Sequence, residues 1–468
     1  RCTSVAIALL HSYKNPTHER IIKQALLDAG FIYVTASHEI SGQIKILPRA
    51  ETAVANAYLS PIIHSYINRI QSKLETANLK IMTSAGGLVN AQQFFPKDSL
   101  LSGPAGGVVG AAVSGKYSGI DKLIAFDMGG TSTDVSLFNK TFSYRYESKV
   151  GSVRILSPSL EIETIAAGGG SICDFDGYKL TVGPHSAGAS PGPACYGAGG
   201  SLTITDVNLL LGRIATNFFA VPLYREHAAL ALQKILDKIY QHTRKRVKSE
   251  QVLESFLQIA NEKMAEAIRK VSVQHGHNPA DYTLLSFGGA GGQHATALAN
   301  LLDSKKILIP YDAGLLSAYG IGHADVTHFE EQLVLKPLQA VEQKWKQLFA
   351  RLQQAGIEKL QRDGYNKQEI ISHKQIAFLR FIGQESCVEV DANDASKVLA
   401  QFKTKYKAIY GHWLPHREIE VESVRLVVLV KGYSLKVKQS RLRNNKPAAT
   451  HKQKMCVAGK WVNANVYQ

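Results

Sequence analysis

Of the 468 residues in this chain, the fourteen from Ile124 to Leu137 limit its possible folds most: Ile124-Ala-Phe-Asp127-Met-Gly-Gly-Thr-Ser-Thr-Asp134-Val-Ser-Leu137. An apolar strand delivers Asp127 to its end, Gly129 and Gly130 permit a tight turn, and Val135 to Leu137 returns as the next strand. Glycine lets main-chain N–H groups approach a phosphate that a side chain would hold off. Thr131, Ser132 and Thr133 add hydroxyl donors, and Asp127 and Asp134 offer hard oxygen ligands to Mg²⁺, directly or through water. The bland alternative is a hairpin with an ordinary Gly-Gly turn. Two glycines, three hydroxyls and two carboxylates within eight residues favour a phosphate loop.

Two neighbouring features fit that reading. Upstream, Ser102-Gly-Pro-Ala-Gly-Gly-Val-Val-Gly-Ala-Ala112 is a run of small residues that predicts a helix able to approach another closely. Downstream, Leu284-Leu-Ser-Phe-Gly288-Gly-Ala-Gly-Gly-Gln-His294 predicts a strand breaking into glycines before an Ala-rich helix. A nucleoside can lie on such backbone, with Gly288, Gly289 and Gly291 as its floor and phosphate near the helix N-terminus. Gly314 to Gly322 gives a second small-residue helix.

Elsewhere the pattern is βαβ-like. A strand at Val5–Leu10, a helix near His18–Ala29, a strand at Phe31–Thr35, a helix over Glu51–Leu74 and a strand at Lys80–Thr83 imply a sheet covered by helices. Leu223–His275 reads as helical, with Val252, Phe256, Ile259, Met264 and Ile268 on one face. Past Thr327 a helix near Gln343–Gln361, strands within Ile376–Val390, a helix at Ala395–Ile409 and a strand at Glu420–Val430 suggest an α+β domain.

Several motifs fail on chemistry. Gly110 to Lys116 has Walker A spacing, but Tyr117 stands where a hydroxyl should reach Mg²⁺ and the preceding residues read as helix. Gly188-Ala-Ser190-Pro-Gly192 imitates a nucleophile elbow, yet Pro191 has no N–H for the oxyanion. His185, Cys195 and His294 would hold zinc only if folding brought them together. Five scattered cysteines, never paired as CxxC, fit a reducing cytoplasm, and no apolar run is long enough to span a bilayer. The net charge of +16 is concentrated, with nine Lys/Arg and no Asp or Glu from Lys431 to Lys460. Past Tyr433 no aromatic residue there offers a stacking platform, so a solvated basic tail is expected and nucleic acid is not.

The order of small-residue helix, D-x-G-G-T-x-T-D hairpin, strand-G-G-x-G and second small-residue helix resembles the second half of an actin, sugar-kinase and heat-shock ATPase core. Within that superfamily, Thr164-Ile-Ala-Ala-Gly-Gly-Gly-Ser171, the Gly183–Gly197 string, Thr203-Ile-Thr-Asp206-Val-Asn-Leu-Leu-Leu-Gly-Arg213, Phe329-Glu-Glu and Arg380-Phe-Ile-Gly-Gln384 resemble the hydantoinase A/5-oxoprolinase family. Ser190 departs from the Asp expected there. The resemblance implies an α/β, duplicated RNase H-like core with a C-terminal α+β domain. Its parts would be the close of an N-terminal lobe (1–100), a second lobe (101–326), the C-terminal domain (327–430) and a basic tail (431–468). No second D-x-G-G-T segment occurs and relatives continue past Trp461, so a piece shortened at both ends is expected.

The resemblance further implies ATP-dependent opening of a cyclic amide, 5-oxoproline or a hydantoin, by phosphorylation of the ring carbonyl oxygen, with ATP and Mg²⁺ as cofactors. Asp127 and Asp134 would serve catalysis and metal; Gly129, Gly130, Thr131, Ser132 and Thr133 the phosphate. His185, Ser186 and Asp206 are substrate-side candidates. A hydantoinase B-type subunit or fused domain, and an oligomer, are the expected partners. The alternatives are the A-type subunit of an acetone- or acetophenone-type carboxylase, and an actin- or chaperone-like ATP switch.

Overall fold

The structure, a computed structural model, describes residues 2–74, 78–219, 221–274, 276–432 and 448–467, in two compact units. One unit gathers Gly106–Ser143, Glu161–Gly320 and Leu435–Gln468. Its central sheet is built from β1 (Lys122–Met128), β2 (Thr133–Asn139), β3 (Ile162–Ile165), β4 (Thr283–Phe287) and β5 (Ile307–Leu308), in the order 3-2-1-4-5, with the short strand Thr141–Phe142 also paired to β2. β2 is antiparallel to both β1 and β3, whereas β1, β4 and β5 run parallel. This is the RNase H-like sheet that the sequence resemblance implied. β4 is buried along its whole length and β1 from Leu123 to Phe126, as expected for central strands covered on both faces.

Four helices matter to the site: α1 (Ser102–Tyr117), α2 (Ser249–Val273), α3 (Ala295–Leu301) and α4 (Leu316–His323). The Walker-like residues 110–116 lie inside α1, consistent with their rejection as a phosphate loop. Val252, Phe256, Met264 and Ile268 of α2 are buried and Ile259 packs against the same core, so the apolar face read from spacing is real. α1 and α4 cross where both lack side chains. A Cβ at Gly320 would overlap Gly106 O and lie 2.5 Å from Gly110 N, and one at Gly110 would overlap Leu316 O. Only glycine allows this approach.

The basic C-terminal stretch proves to be more than a solvated tail. Residues 433–447 lie outside the described residues, but His451–Val457 and Lys460–Val466 form an antiparallel hairpin. Cys456 is fully buried with its N–H on Leu211 O at 2.8 Å, and Gln453 Nε2 donates to Gly212 O and Ile214 O.

The other unit gathers Arg1–Ala105, Tyr144–Leu160 and Ile321–Ser434. Sequence boundaries follow chain order and this unit does not, because its six-stranded sheet recruits strands from distant segments. In order these are Val388–Asp391, Ile370–Phe381, Ile419–Val430, Val326–Pro337, Leu88–Asn90 and Lys80–Met82. Helices Trp345–Arg362 and Ala395–Tyr410 supply Trp345, Phe349, Leu352, Phe402 and Tyr406 to its core. The Tyr144–Val150 and Val153–Leu160 hairpin is fixed by Tyr146, whose ring lies 3.7 Å below the buried Arg425 guanidinium. Near the N-terminus, Glu19 and Arg49 are both fully buried and joined through Ser37 Oγ. Burial acts to raise the Glu19 pKa, but hydrogen bonds from Ser37, the His38 and Leu9 amides and the His38 ring prevail and hold it at about 2.

Candidate active site

The site is assembled in the first of these units from three chain segments. Asp127 and Asp134 face each other directly in the β1–β2 register, and the turn between them is closed by Gly129 N–H on Ser132 O at 3.1 Å. Among the described residues, none accepts a hydrogen bond from the Gly130, Thr131 or Ser132 amides. A Cβ at Gly130 would meet nothing within 4 Å, so that face of the turn opens to solvent. Its other face is filled. Gly169 N–H donates to Gly129 O at 3.0 Å and Gly170 N–H to Gly130 O at 2.6 Å. A Cβ at Gly168 would come within 2.7 Å of Thr131 C. The Gly168–Gly170 string is therefore the backing of the turn.

The third segment follows β4. Phe287 pairs with Asp127, so Gly288 emerges beside that carboxylate. Gly288 has φ +80°, and a Cβ on it would overlap Asp127 Oδ1 and stand 2.6 Å from Met128 O. Ala290 N–H bonds Met128 O at 2.9 Å, fastening the glycine loop to the end of β1. Gly289 projects into open space, whereas Gly291 is buried against Ser286.

Burial, with the Asp134 charge as a second cause, pushes the Asp127 pKa up to about 6. Burial also raises that of Asp134, against the Thr164 hydroxyl, which donates to Asp134 Oδ1 at 2.5 Å. Two facing carboxylates that each resist charge form an arrangement that a hard cation relieves, and Mg²⁺ characteristically uses one or two carboxylates with water and phosphate. The donor set fits Mg²⁺.

Two sequence candidates sit elsewhere for clear reasons. Thr133 is fully buried, donates to Ala167 O at 2.5 Å and touches Met264 Sδ at 3.8 Å, so it ties the hairpin down and has no hydroxyl to offer phosphate. Asp206 is fully buried and its carboxylate accepts from Ala194 N, Cys195 N, Thr203 N and Thr203 Oγ1 at 2.7 to 3.1 Å, closing a capping box on the Ile204–Leu210 helix. Thr203 at N-cap followed by Asp206 was a legible capping signal. His185 is exposed near the end of Leu180–Ser186, and Ser186 Oγ donates to Gly170 O at 3.3 Å, one backbone layer from Gly130. Cys195 and His294 are both buried, and no group of three His, Cys, Asp or Glu able to hold a metal occurs among the described residues. The backing role of Gly168–Gly170 was not read from the sequence, which showed only a glycine string.

An RNase H-like sheet with a carboxylate pair at the β1–β2 turn and a glycine loop after β4 defines an actin-like α/β core. The crystal structure of an ATP-dependent caprolactamase from Pseudomonas jessenii superposes with TM-score 0.83 at 29% identity, covering 99% of this chain and 70% of that one. A nucleotide-free acetone carboxylase shares the fold with TM-score 0.75 at 23% identity, covering 98% of this chain and 69% of that one. The hydantoinase/oxoprolinase pattern matches residues 49–330 and the family's C-terminal domain residues 332–468, so the chain belongs to the hydantoinase/oxoprolinase family. The 5-oxoprolinase of Saccharomyces cerevisiae is 36% identical over 99% of this chain and 38% of its own length. The chain spans 35% to 38% of the length of the 5-oxoprolinases that it matches. No helix among the described residues is long and apolar enough to cross a membrane.

Proposed function

We propose that this chain contributes the nucleotide-side machinery of an ATP-dependent hydrolase that opens a cyclic amide such as 5-oxoproline or a hydantoin. The observation carrying the proposal is the meeting of three segments, 127–134, 168–170 and 288–291, around one carboxylate pair. Family membership and the 5-oxoprolinase and caprolactamase relatives support the reaction class.

An amide resists water because its nitrogen is a poor leaving group. Transfer of the terminal phosphoryl of ATP to the ring carbonyl oxygen makes the carbon electrophilic. Water adds there and the ring C–N bond breaks, the nitrogen taking a proton. The resulting acyl phosphate is hydrolysed by a second water to a carboxylate and inorganic phosphate. Phosphoryl transfer depends on positioning and neutralised charge. The free Gly130, Thr131 and Ser132 amides and the Thr131 and Ser132 hydroxyls hold phosphate oxygens, and Gly288 and Gly289 admit the nucleoside. Asp127 and Asp134 would hold Mg²⁺, which supplies charge neutralisation to the phosphates. Asp127, kept ionised by such a cation, also orients the attacking oxygen. His185 and Ser186 lie on the substrate side. A B-type subunit or domain and an oligomer complete the assembly, which works in the cytoplasm, where the five free cysteines stay reduced.

The test is ATP consumption by the full-length protein, assembled with its B-type region, with 5-oxoproline, with a hydantoin, and with a ketone plus bicarbonate. Stimulation by a cyclic amide with release of the ring-opened amino acid is expected. Stimulation by the ketone and bicarbonate alone would replace this reading with a carboxylase.

A further inference from the structure

One helical turn of α2 reaches three parts of the site. Met264 Sδ touches Thr133 Oγ1 of the phosphate hairpin, and Lys263 Nζ donates to Val182 O at 2.6 Å, three residues before His185. Asn261 Oδ1 lies 2.7 Å from Nδ1 of His294, the residue that ends the glycine loop and precedes α3. His294 is 1% exposed and Asn261 8%. Among the described residues, the hydrogen bonds of the rest of the loop run through its main chain: Gly288 N–H on Ala313 O, Ala290 N–H on Met128 O, and Gln293 N–H on Ala290 O, with the Ala290 methyl packed on the core. Gly289 and Gly292 have no neighbour where a Cβ would stand. His294 Nε2 has no partner among the described residues, so the bond to Asn261 is the ring's polar attachment. Loss of that anchor would leave both nitrogens of a buried imidazole without a partner, a cost that loosens the ring's hold on its loop.

We infer that Asn261 is a positioning residue for the nucleotide loop, acting through His294 to fix the C-terminal end of Gly288–His294 against the helix that also fixes the phosphate hairpin. The inference rests on the nucleotide reading above, but its core claim concerns the loop itself. It also accounts for a polar side chain on the buried face of α2, where Asn261 is flanked by Leu257, Ala260, Met264 and Ala265. A neutral ring suits the role, since burial, assisted by Arg213, lowers the His294 pKa to about 4.

The experiment compares Asn261→Leu, which removes the acceptor while keeping the branching and number of heavy atoms, with Asn261→Asp, which keeps an oxygen in place. Phe256→Leu, a purely apolar change on the same buried helix face, controls for general loosening. Three quantities are read: hydrogen exchange of the 288–294 amides, the Kd for Mg·ADP, and Tm. Asn261→Leu should speed exchange at Gly291 to His294 at least tenfold relative to β1 amides and raise the Kd at least fivefold. Asn261→Asp should return both to within threefold of the parent, while Phe256→Leu lowers Tm without singling out the loop. An Asn261→Leu exchange pattern matching that of Phe256→Leu, or an unchanged Kd, would overturn the inference. Failure of the parent chain to bind Mg·ADP would instead sink the nucleotide role, and the exchange comparison would still decide whether Asn261 fixes the loop.

Discussion

Replacing Asp127 by Asn tests the site through stability and turnover at once, and the two should move in opposite directions. The carboxyl is partly buried beside Asp134 and its pKa stands at about 6 against an ordinary 3.8. A carboxyl with a raised folded-state pKa binds its proton more tightly in the folded protein. Its contribution is therefore most favourable below pH 3.8 and is lost as pH rises through 6. The gap corresponds to at most about 3 kcal/mol of destabilisation at pH 8, and partial exposure reduces this to about 1–3 kcal/mol. Asn has nearly the same shape and no charge. Asp127→Asn should therefore raise Tm at pH 8, by roughly 2–4 °C per kcal/mol for a unit of this size, and leave it nearly unchanged at pH 4. In the full-length enzyme, turnover of ATP with saturating cyclic amide should fall at least tenfold, since one lost electrostatic group commonly costs on the order of a hundredfold or more. Thermal melts at both pH values and a coupled ADP assay decide the matter. A variant that melts lower at pH 8 would refute the electrostatic argument, and one that turns over ATP at the parent rate would refute the assigned role.

Other substitutions separate shape from chemistry. Gly130→Val should leave Tm within about 1 °C, because nothing lies within 4 Å of the added Cβ, while blocking phosphate and raising the Kd for nucleotide at least tenfold. Gly288→Ala must adopt φ +80° and displace Asp127, so it should cost about 2–4 kcal/mol by denaturant melts and depress turnover as well. Asp206→Ala strips four buried donors of their acceptor and should cost about 3 kcal/mol or more, with residual activity tracking the folded fraction. Glu19, held at about 2 against an ordinary 4.5, stabilises the fold above pH 4.5 and loses that contribution as pH falls towards 2. Glu19→Gln should remove up to about 3 kcal/mol at pH 7 and flatten the acid limb of stability against pH.

What the sequence revealed was chiefly local. The Asp127 hairpin, the glycine loop after β4 and the two small-residue helices each carry their signal within a dozen residues, and each folds as its pattern implied. The apolar face of α2 was equally legible from helical spacing. What escaped was non-local or a matter of facing. Thr133 shares its hydroxyl chemistry with Thr131, and only strand register, pairing it with Met128, turns it inward. Gly168–Gly170 lies more than thirty residues from the turn that it supports, so spacing could not connect them. The sheet joining Lys80–Met82 to Val326–Pro337 through Leu88–Asn90 likewise depends on contacts over two hundred residues apart, which boundaries read along the chain divide.

The backing of the phosphate turn has a consequence for how such a site could diversify. Its backing is made of amide-to-carbonyl bonds between two glycine strings, 129–130 and 169–170, and the one hydroxyl that ties the hairpin down, Thr133, faces inward, so no side chain on the open face specifies its shape. Thr131 and Ser132 on the open face can be exchanged, and the substrate-facing residues beyond them varied, without deforming the turn. Form is thereby insulated from specificity. The same arrangement concentrates intolerance at Gly168 and Gly170, where one added methyl group would meet the main chain of Gly130. A deep mutational scan of this region scored by folded abundance should therefore show a sharp boundary, with permissive hydroxyl positions directly above glycines that accept nothing else.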